Sequence, residues 1–172
     1  MRRPAIVFAL MFCLVAANAQ GAQKMSTSQS AVIDADRVEV WDLLVRVELW
    51  EKWNPAVKDA DIKKGDGYSV GTIIDFKPII GDKEADKVEL ELEVSKRLEK
   101  LEYRGEKAGM DIVFGFELEK LEEGRTKVTS YETITGPGTT LFKLLYGQKG
   151  LDKEHRVWVE TMKKKLETDI EG

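Results

Sequence analysis

Residues 150–170 read GLDKEHRVWVETMKKKLETDI. Leu151, His155, Trp158, Met162 and Leu166 fall at spacings of four, three, four and four, which places them on one face of a helix. Gly150 breaks whatever precedes it. Asp152 and Glu154 sit in the expected first turn and Lys163, Lys164 and Lys165 near the end, the charge order a helix dipole favours. A helix of this length spans about 30 Å. Its apolar stripe is not stable facing water, so another layer has to cover it.

Moving back along the chain, the middle supplies that layer. Residues 139–146 form a short apolar helical stretch between Gly138 and Gly147, which reads as a lid or a connector. Residues 126–135 are the last strand. Met110, Ile112, Phe114, Phe116 and Leu118 alternate before it, and Leu101 and Tyr103 begin a strand closed near Gly105. Val88, Leu90, Leu92 and Val94 alternate with Glu89, Glu91, Glu93 and Ser95, the clearest half-buried strand of the chain. Residues 70–76 form another, closed by Pro78 and Gly81-Asp82, and residues 57–63 a modest one. Upstream lie two short helices. The first is capped by Asp36 with Glu39 three residues on, and runs to about residue 47. The second spans 49–53 and is ended by Pro55. A short strand, 28–35, comes first. The expected class is α+β: a curved antiparallel sheet of six to seven strands wrapped around a long C-terminal helix, with two short helices after the first strand.

A chain of 172 residues, 42% hydrophobic and 34% charged, suits one soluble domain. Residues 1–19 have the pattern of a secretory signal peptide: Arg2 and Arg3, an apolar run over 5–17, and Ala17-Asn18-Ala19 ahead of Gln20. An uncleaved anchor is the alternative, but the run is short for a span. The expectation is a secreted or periplasmic protein, cleaved near Ala19, with a flexible leader over 20–27 and a domain over 28–170. Cys13 is the single cysteine, so export is not serving a disulfide framework. The chain has 27 basic residues; losing Arg2 and Arg3 leaves 25 against 31 acidic, a charge of −6. That sign argues against nucleic acid and anionic membrane surfaces as partners. No later run is long and apolar enough for stable membrane insertion. Oligomeric state is not encoded in any of these patterns.

The order of motifs is familiar. Asp36-Arg37-Val38-Glu39-Val40-Trp41-Asp42-Leu43-Leu44, then Trp50-Glu51-Lys52-Trp53-Asn54-Pro55, then Val70-Gly71-Thr72, then Leu101-Glu102-Tyr103, then the terminal helix resembles the START-like helix-grip superfamily. The likeness is greatest to its polyketide cyclase/dehydrase and lipid transport branch and covers residues 28–170. It implies a sheet gripping the last helix, an apolar cavity between them, and a hydrophobic small molecule or lipid as partner. It does not imply one activity, because the superfamily holds carriers, receptors, chaperone activators, cyclases and aromatases.

Within that frame the expected ligand-binding residues are Trp53, Leu92, Tyr103, Phe114, Phe116, Tyr131, His155, Trp158 and Met162. The strand residues follow from parity, and Trp158 and Met162 close the wall from the helix. The same residues would serve equally as a filled core. Trp53 and Trp50 pack, or form a portal. His155, the one histidine, is a hydrogen-bonded core residue, a headgroup contact or a proton donor. With no cysteine or second histidine beside it, no metal and no cofactor is expected. The last strand offers Val128, Ser130, Glu132 and Ile134 on one face and Thr129, Tyr131, Thr133 and Thr135 on the other. The favoured reading turns Glu132 to solvent and Tyr131 into the cavity. An inward Glu132 would be paired or have a raised pKa. No nucleophile elbow or phosphate-binding glycine loop occurs, and no catalytic residue is assigned. The leading expectation is an exported binder of a hydrophobic ligand. The alternative is a cyclase or dehydratase using His155, Tyr103, Tyr131 and Glu132, and a third is an interaction protein with a filled core.

Overall fold

The computed structural model describes residues 23–122 and 124–168. The expected signal peptide and residues 20–22 of the expected leader lie outside the described residues. The elements in order are β1 (Lys24–Ile33), α1 (Arg37–Val45), a 3-10 turn (Val47–Leu49), α2 (Trp50–Trp53), β2 (Val57–Lys64), β3 (Ile73–Ile80), β4 (Lys83–Glu84), β5 (Val88–Lys96), β6 (Lys100–Lys107), β7 (Met110–Lys120), β8 (Thr126–Thr135), α3 (Thr139–Leu145) and α4 (Gly147–Thr168). Seven antiparallel strands form one curled half-barrel in the order β1-β8-β7-β6-β5-β3-β2, and the two-residue β4 pairs with β3. The long terminal helix lies in the grip of that sheet, as its apolar stripe requires.

Local chemistry accounts for the joints. The Glu39 carboxylate accepts from the Asp36 backbone N–H at 3.0 Å and starts α1. The Asn54 side-chain oxygen accepts from the Ala56 N–H at 2.9 Å and shapes the turn into β2. Bulges between Lys58 and Asp61 on β2 and between Leu92 and Val94 on β5 increase the curl. Gly115 in β7 has no room for a side chain, because a Cβ there would meet the Tyr131 hydroxyl at 2.5 Å and the Leu101 carbonyl at 2.6 Å. Tyr131 therefore lies flat over a glycine on the outer face of the sheet.

Three boundaries differ from expectation. β1 begins at Lys24, so 24–27 is strand rather than leader; it pairs with β8 from Lys24↔Thr135 onward, and Met25 is buried. β3 covers 73–80 instead of 70–76. Val70-Gly71-Thr72 is a loop organised by Asp66, whose carboxylate accepts from the Tyr68 and Ser69 N–H groups at 3.0 and 2.7 Å. Pro78 sits inside β3, where its carbonyl accepts from Ala85 beyond the last β3–β5 pair. α4 starts at Gly147, three residues early, which moves Glu154 out of the first turn and into the helix interior. Among the described residues no helix is long and apolar enough to cross a membrane.

Candidate functional site

The concave side of the sheet has two unlike halves. Beside α1 and α2 it is filled with rings. Trp50 donates its indole N–H to the Leu44 carbonyl at 2.9 Å and meets Phe76, Tyr103 and Trp158 edge-on at centroid distances of 5.8, 6.5 and 4.9 Å. Trp158 also lies 5.1 Å from Phe116 and 5.6 Å from Trp53. Leu92, Tyr103, Phe116, Trp158 and Met162 are fully buried in this cluster, and Trp53 is half-buried against it. Offset and edge-on pairs of this kind add about 0.5–1.5 kcal/mol each to the burial they accompany. The Tyr103 hydroxyl is sealed here without a partner, and burial alone pushes its pKa up.

The other half, toward α3, is hollow. A cavity of about 210 Å³ lies between the end of β3, the start of β5, the β6–β7 turn, the end of β8 and α3. Phe76, Val88, Leu90, Met110, Ile112, Phe114, Ile134, Leu141, Phe142 and Leu145 supply apolar wall. Leu141 and Leu145 are exposed as well as lining, so the mouth lies along α3. Lys83 ties that helix down by donating to the Leu145 carbonyl at 2.7 Å. Of the nine expected ligand-binding residues, Phe114 alone lines this cavity, at its border with the packed half. Trp53, Leu92, Tyr103, Phe116, Trp158 and Met162 are placed in the aromatic core instead, because the large rings of α2 and α4 meet there.

The charged groups facing the cavity are Asp86 and Lys107 near the mouth and Glu132 and Glu154 on the inner side. Glu132 points inward, against expectation. β7 and β8 pair Phe114↔Glu132 and Phe116↔Ser130, so the parity that buries the two phenylalanines turns Ser130 and Glu132 inward with them. Tyr131, paired with Gly115, is on the outer face and not in the cavity. Its hydroxyl donates to Glu102 at 2.7 Å, with the Lys100 ammonium 5.3 Å from its ring.

His155 joins α4 to this strand. Its Nε2 lies 3.0 Å from Glu132 Oε2, and its Nδ1 lies 2.8 Å from Ser130 Oγ. With the ring proton on Nε2, His155 donates to Glu132 and accepts from the Ser130 hydroxyl. Fully buried, it does not line the cavity itself but stands behind Glu132 and Phe114, which do. Glu154, the preceding residue, is 4% exposed and its Oε2 has no hydrogen-bond partner. Burial, and then the negative charge of Glu132, hold its carboxyl well above the ordinary glutamate range. Glu154 thus places a carboxyl that resists ionisation among the residues lining the cavity. Sequence reading missed it by placing it in a first turn, although it lies three residues from Leu151 and four from Trp158, on the buried stripe itself.

Donor atoms of Glu132, Glu154 and His155 lie within 4.8 Å of one another, a spacing at which a cation can be shared. No metal ligand is assigned, since both ring nitrogens of His155 are already committed to hydrogen bonds.

Comparison with known proteins agrees with this architecture. The profile of the family described as polyketide cyclase / dehydrase and lipid transport matches residues 24–167. The chain is similar in fold to the Zhui aromatase/cyclase from Streptomyces sp. R1128, with a TM-score of 0.69 at 12% identity over 86% of this chain and 96% of that one. It is also similar to a START superfamily protein from Mycobacterium smegmatis, with a TM-score of 0.65 at 12% identity over 83% and 97%. At such identities the likeness shows the fold alone. No curated protein matches the sequence.

Proposed function

The chain belongs to the polyketide cyclase/dehydrase and lipid transport family, and from that premise we propose that it binds a hydrophobic small molecule in the cavity beneath α3. The observation that carries this reading is an apolar hollow of about 210 Å³ with polar groups on its inner side. Affinity would come from removing apolar ligand surface from water, worth roughly 25 cal/mol per Å² before the costs of association. The family is compatible with such binding. Export is part of the proposal and rests on the signal-like pattern of residues 1–19. The test is native mass spectrometry of the protein purified from its own source, followed by titration with a panel of lipids and small apolar molecules. Adducts that disappear in an Ile112→Trp variant, which fills the hollow, support the proposal. Repeated absence of any adduct, with no binding across the panel, overturns it.

A second reading is favoured by one distance. His155 and Glu132 meet at 3.0 Å beside a cavity that also holds the buried acid Glu154. A base paired with an acid is what a cyclisation or dehydration of a polyketide-like substrate needs. In this reading Glu132 accepts a proton, Glu154 donates one and His155 positions Glu132. Tyr103 and Tyr131 have no part, since neither faces the cavity. Turnover of a poly-β-ketone probe that is lost in Glu132→Gln, with ligand binding kept, would select the enzyme over the carrier.

A further inference from the structure

We infer that the Glu132–Glu154 pair sets the chemical class of the ligand: a medium-length apolar body ending in a neutral oxygen, an alcohol or a ketone, in preference to a carboxylate of the same length. This inference rests on the binding reading above.

Three observations support it. Glu154 lines the cavity, and its Oε2 is buried without a hydrogen-bond partner on a residue 4% exposed. A buried oxygen without a partner costs free energy that a ligand oxygen hydrogen-bonded to it would recover. Glu132, already accepting from His155, puts a negative charge beside that position. A ligand carboxylate would bring a second negative charge into a largely apolar space, where like charges repel strongly. Lys107, the one basic residue among those lining the cavity, stands at the β6–β7 turn opposite Met110, whereas Glu132 is paired with Phe114 further along β7, so its charge sits at the other end of the hollow from the two glutamates. A neutral alcohol or ketone accepts the Glu154 proton with no such penalty. Size agrees: a cavity of about 150 Å³ holds a benzene ring, so 210 Å³ suits a medium-length alkyl chain or a ring with a small substituent.

The experiment is calorimetric titration of the purified protein with four eight-carbon probes: octan-1-ol, octan-2-one, octanoate and octylammonium. The alcohol and the ketone are expected to bind about tenfold or more tighter than octanoate at neutral pH. Glu154→Gln, which keeps a donor, should hold the alcohol within about threefold, whereas Glu154→Leu should lose about tenfold. Circular dichroism of each variant establishes that it is folded. Octanoate binding as tightly as octanol overturns the inference and leaves the binding reading standing. Octylammonium binding more tightly than octanol also overturns it, because the pair would then select a cation over a neutral oxygen. So does a folded Glu154→Leu with unchanged affinity for octanol. Failure of all four probes to bind the folded native protein overturns the binding reading and this inference together.

Discussion

His155 Nε2 and Glu132 Oε2 lie 3.0 Å apart, so the terminal helix and the last strand are joined by a buried polar bond just inside the cavity wall. Ser130 holds the opposite ring nitrogen at 2.8 Å, leaving the imidazole little rotational freedom.

Removing that ring should be costly. His155→Ala deletes a fully buried side chain, strands the Ser130 hydroxyl and leaves the Glu132 carboxylate without its donor. The expected loss is about 3 kcal/mol of unfolding free energy, measured by chemical denaturation. A loss below the error of the measurement would contradict the described hydrogen bonds.

Glu154 should make stability fall as pH rises. Its folded pKa is raised above the ordinary 4.5, so the folded state keeps a proton that the unfolded chain gives up. Below about 4.5 the acid is protonated in both states and there is no penalty. Above it, the penalty grows by up to about 1.4 kcal/mol per pH unit until the folded carboxyl ionises. Glu154→Gln removes this component. Denaturation of both proteins between about pH 4 and pH 8 should give a difference that widens with pH in favour of the variant. Parallel curves would show that Glu154 is not held protonated.

Tyr131 should matter to the sheet and not to the ligand. Tyr131→Phe breaks its bond to Glu102 on the outer face, costing about 1 kcal/mol. Affinity for a cavity ligand should stay unchanged in the same titrations. A large loss of affinity would return Tyr131 to the cavity wall.

Gly115→Ala should destabilise by about 1–3 kcal/mol through overpacking. Adding Tyr131→Ala should restore only part of this, because the Leu101 carbonyl at 2.6 Å is backbone and cannot move aside. Full restoration would mean that the tyrosine is the sole obstruction. Thermal denaturation of the two variants decides it.

Much of the architecture was legible before any coordinates. The stripe of Leu151, His155, Trp158 and Met162 is the buried face of α4, and the alternation of Val88, Leu90 and Leu92 is the inward face of β5. Asp36 and Glu39 marked the start of α1. These are local signals, carried by a repeat of 3.6 or of 2 within one element. Glu154 was legible in principle by its spacing from Leu151 and Trp158, but an assumed helix start at Gly150 hid it in a first turn.

Two decisions belong to tertiary structure alone. The first is which face of β8 looks inward. That strand carries polar residues on both faces, so its pattern leaves the choice open, and pairing with Phe114 and Phe116 on β7 makes it. A register one residue different would have reversed Glu132 and Tyr131. The second is where the hollow lies. Apolar rows along β5 and β7 mark a concave wall over its whole length, yet Trp50, Tyr103, Phe116 and Trp158 converge from four elements and fill one half. The other half, roofed by the short α3, stays open. Periodicity tells which residues turn inward; the sum of side-chain volumes brought together from distant parts of the chain decides whether any space is left between them.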